Sequence, residues 1–449
     1  MVNELRDLMQ QLVASPPESD RDLGAVLSGG RTRVRRRRRG LAAVVAAAAT
    51  VVTFAGAGIL AGGDSDDDWV ASHTVPRADG PVLRLGDATR AVEGTDYDLL
   101  ASYTNKDLNA GNGQYYDGVT DDGLILFSDG PRDVDNRVRL ALLDPATGEK
   151  DWLPEPARDL GSQPEPVLLG RDRLVLTTWV SDQGEGLRAM VFDRRTRQWS
   201  SLTWPGLSKK AAMWSAEVGP DDRLYVGVPA TEGTPPPGGW PTDDSGEADD
   251  SGAEGDTHDL WSVSLDDPTD VRDERLRVGS FAFTDDALVW TDTTNGTNDR
   301  VHVRDLATGE ESSFDPRSGD RCNVLSFGVA GDRIVLGQYC GDYDDGRDDR
   351  VQVLTTDGEP VTTIQGSGLD GFVSGGLVQV TSHADRSAGT YVYEPGSGRF
   401  LRVSDGVSSY ALGGLVPDGY LMWDTPVGTT SDPQEPIPGA TQWLVRWRS

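Results

Sequence analysis

Two cysteines, Cys322 and Cys340, and four histidines, His73, His258, His302 and His383, are the soft and borderline metal ligands of this chain. No two of the histidines stand at metal-ligand spacing, which leaves little for a zinc, haem or iron–sulfur site. There is no Gly-x-Ser-x-Gly elbow and no Ser-x-Asp-x-Gly-x-Thr-Trp box. A Ser–His–Asp triad has no motif to place it, and a pair of carboxylates for glycoside hydrolysis is defined by a separation that a sequence does not display. The densest acidic loop runs Asp342-Tyr343-Asp344-Asp345-Gly346-Arg347-Asp348-Asp349. Calcium takes clustered carboxylate oxygens around a glycine turn, so Asp342, Asp344, Asp345 and Asp348 are its candidate ligands. The usual spacing is broken by one residue, and a solvated acidic loop is the competing reading. No catalytic residue and no cofactor other than calcium are expected.

The cysteines flank one expected hairpin: strand Asn323 to Val329, turn Ala330-Gly331-Asp332, strand Arg333 to Tyr339. If the hairpin is symmetric about Gly331, Cys322 faces Cys340 within disulfide range. A bulge near the turn would shift that register by one. Two buried free thiols are the alternative. The pairing also requires an oxidising compartment.

The charge pattern argues for such a compartment. Residues 1–40 hold nine arginines against five acids, although the whole chain has a net charge of −31. That acidity excludes a nucleic-acid partner. Directly after Arg35 to Arg39 comes an uncharged stretch, residues 40–62, GLAAVVAAAATVVTFAGAGILAG. As a helix it spans ~35 Å, enough for a ~30 Å hydrocarbon core. Asp64, Asp66, Asp67 and Asp68 follow. The positive-inside rule places the N-terminus in the cytoplasm and residues 63–449 outside, as a single-pass protein of the cell membrane. A cleaved signal peptide and a buried core helix are the alternatives; the long basic head and the ~20-residue apolar core favour an anchor in the lipid bilayer.

Before the span, residues 1–39 form a cytoplasmic stub. Leu5, Leu8, Met9, Leu12 and Val13 make one apolar helical stripe that Pro16-Pro17 stops. Ser19 caps a second short helix with Leu23, Val26 and Leu27. The stripe over residues 1–30 either docks on a cytoplasmic protein or lies on the lipid surface. This layout of stub, span and large outer domain resembles that of bacterial membrane-bound anti-sigma factors. Their zinc motif is missing, since no His or Cys precedes residue 73.

Beyond an acidic linker, residues 63–80, the outer part repeats. An Asp-x-apolar turn recurs as Asp122-Gly123-Leu124, Asp172-Arg173-Leu174, Asp222-Arg223-Leu224, Asp286-Ala287-Leu288, Asp332-Arg333-Ile334 and Asp418-Gly419-Tyr420, with Gly375-Gly376-Leu377 in the gap. The one long spacing contains an apolar-poor acidic insert, residues 231–257, expected to be disordered. A period of ~40–50 residues with four strands per unit predicts an all-β fold, a seven-bladed β-propeller over residues 81–449. It becomes eight-bladed if residues 81–117 form a degenerate unit. The 54 glycines and 26 prolines agree with a turn-rich chain, and 12 tryptophans suit many small cores. The last unit ends without a fourth strand. Pro81 to Leu85 is expected to supply it and close the ring, with Leu99 to Thr104 as the rival.

Between third and fourth strands stands an Asp-x-x-Thr-Gly turn, at Asp144 to Gly148 and Asp305 to Gly309. The first continues to Trp152. Leu142 to Trp152 resembles the tryptophan-docking motif of quinoprotein-like propellers: Asp144, Thr147, Gly148 and Trp152 match, and Leu142 replaces the motif's alanine. The resemblance implies a propeller in which Trp152 staples neighbouring blades. The enzymes of that superfamily use pyrroloquinoline quinone and calcium and carry adjacent cysteines; Cys322 and Cys340 are not adjacent, so no catalytic residue carries over. This chain looks closer to the members that scaffold proteins at bacterial membranes.

The expectation is therefore a single-pass membrane protein whose extracellular propeller binds a protein or glycan without catalysis. A transmembrane regulator with the propeller as sensor, and a propeller enzyme with its site in the central channel, are the alternatives.

Overall fold

The computed structural model describes Ala78 and residues 80–449, except 109–112, 131–138, 157–163, 181–185, 231–256, 295–296, 317–321, 343–345, 385, 408–413 and 429–438. The stub, the span and nearly all of the linker lie outside these residues. Among the described residues no helix is long and apolar enough to cross a membrane.

The fold is an all-β, seven-bladed propeller. Strands β1 (Val82–Arg84), β2 (Thr89–Arg90) and β3 (Tyr97–Asn105) precede the blades. Blade 1 comprises β4 (Gly113–Val119), β5 (Ile125–Gly130), β6 (Arg139–Leu143) and β7 (Lys150–Trp152). Blade 2 comprises β8 (Glu165–Leu169), β9 (Arg173–Val180), β10 (Gly186–Asp193) and β11 (Gln198–Leu202). Blade 3 comprises β12 (Ala212–Val218), β13 (Arg223–Pro229), β14 (His258–Ser264) and β15 (Val271–Val278). Blade 4 comprises β16 (Phe281–Phe283), β17 (Ala287–Thr294), β18 (Thr297–Asp305) and β19 (Glu311–Phe314). Blade 5 comprises β20 (Cys322–Ala330), β21 (Arg333–Asp342), β22 (Gly346–Thr355) and β23 (Pro360–Gly366). Blade 6 comprises β24 (Leu369–Ser374), β25 (Leu377–Ser382), β26 (Gly389–Glu394) and β27 (Arg399–Ser404). Blade 7 holds β28 (Tyr420–Val427) and β29 (Gly439–Trp447), and β3 from the other end of the chain.

The closing strand is β3, not Pro81 to Leu85. It lies antiparallel on β29, with Trp447 opposite Tyr97 and Ala440 opposite Asn105. In every other blade the fourth strand runs antiparallel to the third. Tyr97–Asn105 matches the nine residues of β29, whereas only three residues of PVLRL pair, and they run parallel to β23. β2 likewise pairs in parallel with β27. Residues 82–105 thus form a strap along the outer edges of blades 5, 6 and 7. A row of unpaired edge groups invites pairing with another chain, and the strap covers two such edges.

The Asp-x-apolar motifs fall where a first strand turns into a second. In blade 1 the Thr120 hydroxyl donates to Asp122 at 2.7 Å and accepts the Leu124 N–H at 3.0 Å. In blade 4 Thr284 repeats the arrangement with Asp286 and Ala287, at 2.8 Å each. The Asp-x-x-Thr-Gly turns join third to fourth strands. Asp144 accepts the Ala146 N–H at 2.7 Å, Asp305 accepts the Thr308 N–H at 2.7 Å, and Gly148 and Gly309 both stand at φ +73°, where a side chain is disfavoured.

The apolar cores lie between blades. Leu126, Leu140, Leu174 and Phe192 fill the layer between blades 1 and 2; Val175, Leu224, Val226 and Val263 fill the next. The series ends at the ring junction, where Tyr116, Phe127 and Ala141 of blade 1 meet Tyr420, Met422 and Leu444 of blade 7. The sheet faces stack around a ring, so each blade is hydrophobic on both faces and no single centre exists.

Candidate functional site

The first strand of each blade is innermost and lines the channel. These strands carry the acids Asp117, Glu165, Glu217 and Asp370, and the described ones carry no Lys, Arg or His.

Glu217 sits opposite Tyr225 in the pairing of β12 with β13. Its carboxylate accepts the backbone N–H of Phe283 on the first strand of blade 4, bridging two blades. Burial among the rings between these blades disfavours the charged form and pushes the carboxyl up to about 7; the Phe283 bond pulls the other way and is the smaller effect. Tyr225 donates to Asp221 at 3.1 Å, and burial together with the neighbouring carboxylates raises its phenol.

At the opposite end of the channel, Asp370 of β24 faces Thr381 of β25. The His383 imidazole lies with Nε2 3.5 Å from Asp370 Oδ2. The backbone here is pinned: the His383 N–H donates to the Gly368 carbonyl at 3.1 Å, and buried Asp349 of blade 5 accepts the Leu369 N–H at 3.1 Å and the Gly368 N–H. A second such pair, His302 Nε2 with Asp292 Oδ1 at 2.9 Å, lies in blade 4, its imidazole stacked on Trp290 with ring centroids 5.0 Å apart.

Of the four calcium candidates, Asp344 and Asp345 lie outside the described residues, and Asp342 ends β21. Asp348 is buried opposite Cys340 and pairs with buried Arg350 at 2.7 Å. Burial raises its carboxyl, and Arg350 offsets part of that. Among the described residues no group of three or more His, Cys, Asp or Glu is arranged to hold a metal.

Cys322 and Cys340 form a disulfide, with Cα atoms 4.0 Å apart. The register arises differently from the expected symmetry. Ala330 pairs with Arg333, so the turn is the two residues Gly331-Asp332 and is centred beyond Gly331. On that register Cys322 would face Gly341. The pairing shifts between Val324 and Ser326, where Leu325 is the extra residue, and the bulge restores Cys322 to Cys340.

Trp152, on the outer strand of blade 1, packs against the core at the junction of blades 1 and 7, with Phe127 edge-on at 6.2 Å and the Arg139 guanidinium 4.0 Å over its ring. Blade 2 clamps the same strand: Arg197 donates to the Trp152 carbonyl at 2.9 Å and pairs with Asp151 at 2.6 Å. Arg194 grips Asp122 of blade 1 through two bonds, of 2.7 and 2.9 Å, which holds that carboxyl below its usual range. Of the acidic insert only Thr257 is described, and the Ala230 N–H donates to its carbonyl at 2.9 Å, so the two ends of the insert meet between β13 and β14.

The sequence places His383 only among four histidines without metal-ligand spacing, and it singles out neither Glu217 nor Asp370. An acid inside an apolar strand, as in Ala216-Glu217-Val218 and Leu369-Asp370-Gly371-Phe372, is the signal that marks the two acids.

No family model matches the chain, and no curated protein matches it. Solved structures share its fold. An acylaminoacyl peptidase from Pyrococcus horikoshii is 15% identical, with a TM-score of 0.49 over 75% of this chain and 52% of that one. An oligogalacturonate lyase from Vibrio parahaemolyticus is 12% identical, with a TM-score of 0.48 over 78% of this chain and 98% of that one. The β-propeller domain of the trilobed protease from Pyrococcus furiosus is 11% identical, with a TM-score of 0.46 over 74% and 93%. The chain spans about half the length of the acylaminoacyl peptidase and of a similar prolyl endopeptidase, at 52% of each. At these identities the likeness concerns the fold alone.

Proposed function

We propose that the protein is a membrane-tethered, extracytoplasmic propeller that binds a protein or glycan partner without catalysis, through one of its two faces. The carrying observation is an asymmetry of connections. On one face the chain turns tightly, as at Ala330 to Arg333, Ser374 to Leu377 and Glu394 to Arg399. On the other it spends its long connections, from Pro229 to His258, Val427 to Gly439 and Gly130 to Arg139. Binding residues concentrate on loops that a rigid scaffold positions. The disulfide, the run Arg35 to Arg39 and the apolar stretch 40–62 support the outer location.

A photo-crosslinking residue placed at Ala384, on the long-connection face, tests this on intact cells against one at Asp357 in a tight turn. A discrete adduct from Ala384 and none from Asp357 is expected. Adducts from neither position, or equally from both, overturn the reading.

A second reading, an enzyme acting in the channel, is favoured by Glu217, whose carboxyl near neutrality suits proton transfer. Turnover of a glycan, peptide or alcohol that Glu217→Gln abolishes would establish it in place of the first.

A further inference from the structure

The geometry points to a divalent transition-metal site on blade 6, formed by Asp370, Thr381 and His383. Asp370 and Thr381 are direct cross-strand partners, so their side chains leave the same face of the sheet. His383 follows two residues later and reaches back over that face to Asp370.

Two observations separate this cluster from an ordinary His–carboxylate hydrogen bond. A charge-assisted N–H···O bond closes to about 2.7–2.9 Å, whereas His383 Nε2 stands 3.5 Å from Asp370 Oδ2. Among the described residues His383 Nε2 is buried without a hydrogen bond, as is His302 Nε2, so the wider separation is what sets this pair apart. Two ligands each held ~2.0–2.1 Å from a tetrahedral ion lie ~3.3 Å apart, close to the spacing seen here. Independently, among the described residues Thr381 Oγ1 is buried without a hydrogen-bond partner, in a residue only 8% exposed. Buried hydroxyls are nearly always satisfied, so an unbonded one beside a histidine and a carboxylate calls for a ligand that accepts its lone pair.

The donor set selects the ion. One imidazole nitrogen and one carboxylate suit Zn²⁺ and its neighbours, with the neutral hydroxyl a weaker third donor, whereas Ca²⁺ and Mg²⁺ prefer all-oxygen cages of higher coordination. Among the described residues Asp370 pairs with no arginine or lysine that would compete for its charge. The side chains of Asp370 and His383 are 19% and 22% exposed, which leaves the ion a path in and an open position for water or a further ligand.

The full-length protein in detergent, titrated with Co²⁺ and then Zn²⁺ in excess Ca²⁺ and Mg²⁺ to saturate the acidic surface, tests the assignment. One equivalent of Co²⁺ should develop visible absorption and be displaced by Zn²⁺. His383→Ala and Asp370→Asn should each weaken Zn²⁺ binding at least tenfold. Thr381→Val should weaken it less, with the stoichiometry kept at one, and His302→Ala should leave it unchanged. Should an alanine at 383 impair folding, judged by melting without metal, His383→Gln keeps the volume and carries the same expectation. No saturable site, binding indifferent to both His383 variants, or binding that depends on His302 would overturn it.

Discussion

The side-chain amide of Gln442 satisfies both backbone groups of Tyr116: it accepts the Tyr116 N–H at 2.9 Å and donates to the Tyr116 carbonyl at 3.0 Å. Gln442 belongs to blade 7 and Tyr116 to blade 1, and both are buried. The two bonds lie at the seam between blades 7 and 1, which the chain itself crosses from β3 to β4, whereas β29, the strand of Gln442, is joined to blade 1 by contacts alone. Gln442→Leu leaves a buried donor and a buried acceptor without partners, at about 1–3 kcal/mol for each group. A loss of roughly 2–6 kcal/mol in urea unfolding is expected. A loss under ~0.5 kcal/mol, the range of an ordinary surface change, would mean that the seam does not depend on this amide.

Ring closure gives the second prediction. Deleting residues 97–105 removes the fourth strand of blade 7 and bares β29, so the protein should aggregate or melt at a much lower temperature. Deleting residues 81–90 uncovers only the short pairings to β23 and β27 and should lower the melting temperature modestly. Scanning calorimetry of both deletions checks the order, and the reverse order would restore Pro81 to Leu85 as the closing strand.

These two cases show what was legible. The Asp-x-apolar turns marked the blades because every blade needs the same turn between its inner strands, and that need is local. The closing strand was harder to read. PVLRL and YDLLASYTN are both apolar enough to pair, and only the length and direction of β29 decide between them. The blade 6 cluster was less legible still. Asp370 and His383 are brought together by the register of one hairpin, which no motif encodes, and a lone histidine in a loop carries no signal of its own. The arginine staples were equally hidden, since Arg194 and Asp122 meet only once two blades stack.

Glu217 should make stability depend on pH. Its folded carboxyl titrates at about 7 against 4.5 unfolded, so the native state binds the proton more tightly. The associated stabilisation is complete below the unfolded value and is lost as pH rises through the folded one. Glu217→Gln cannot lose it. The variant should gain on the parent by order 1–3 kcal/mol on going from pH 4.5 to pH 8. Urea midpoints at the two pH values measure this, and parallel behaviour of parent and variant would place the carboxyl at its ordinary value.

The disulfide and its bulge make a linked prediction. Cys322 and Cys340 are 2% and 0% exposed, so a reductant should reach them only when the blade opens, and native protein should resist dithiothreitol far longer than protein in urea. The bond closes a separation of 18 residues, and in the chain-entropy model a loop of that size contributes about 3 kcal/mol. Cys322→Ser and Cys340→Ser should each lower the melting temperature, and reductant should then have no further effect. Deleting Leu325 tests the register itself. Without the extra residue Val324 follows Ser326 directly and keeps Gln338 as its partner, so the two-residue turn Gly331-Asp332 carries its pairing unshifted to Cys322 opposite Cys340. Mass spectrometry of the alkylated, unreduced deletion variant should find no modified thiol, as in the parent. Two modified thiols in the variant would show that the cysteines need the bulge itself in order to meet.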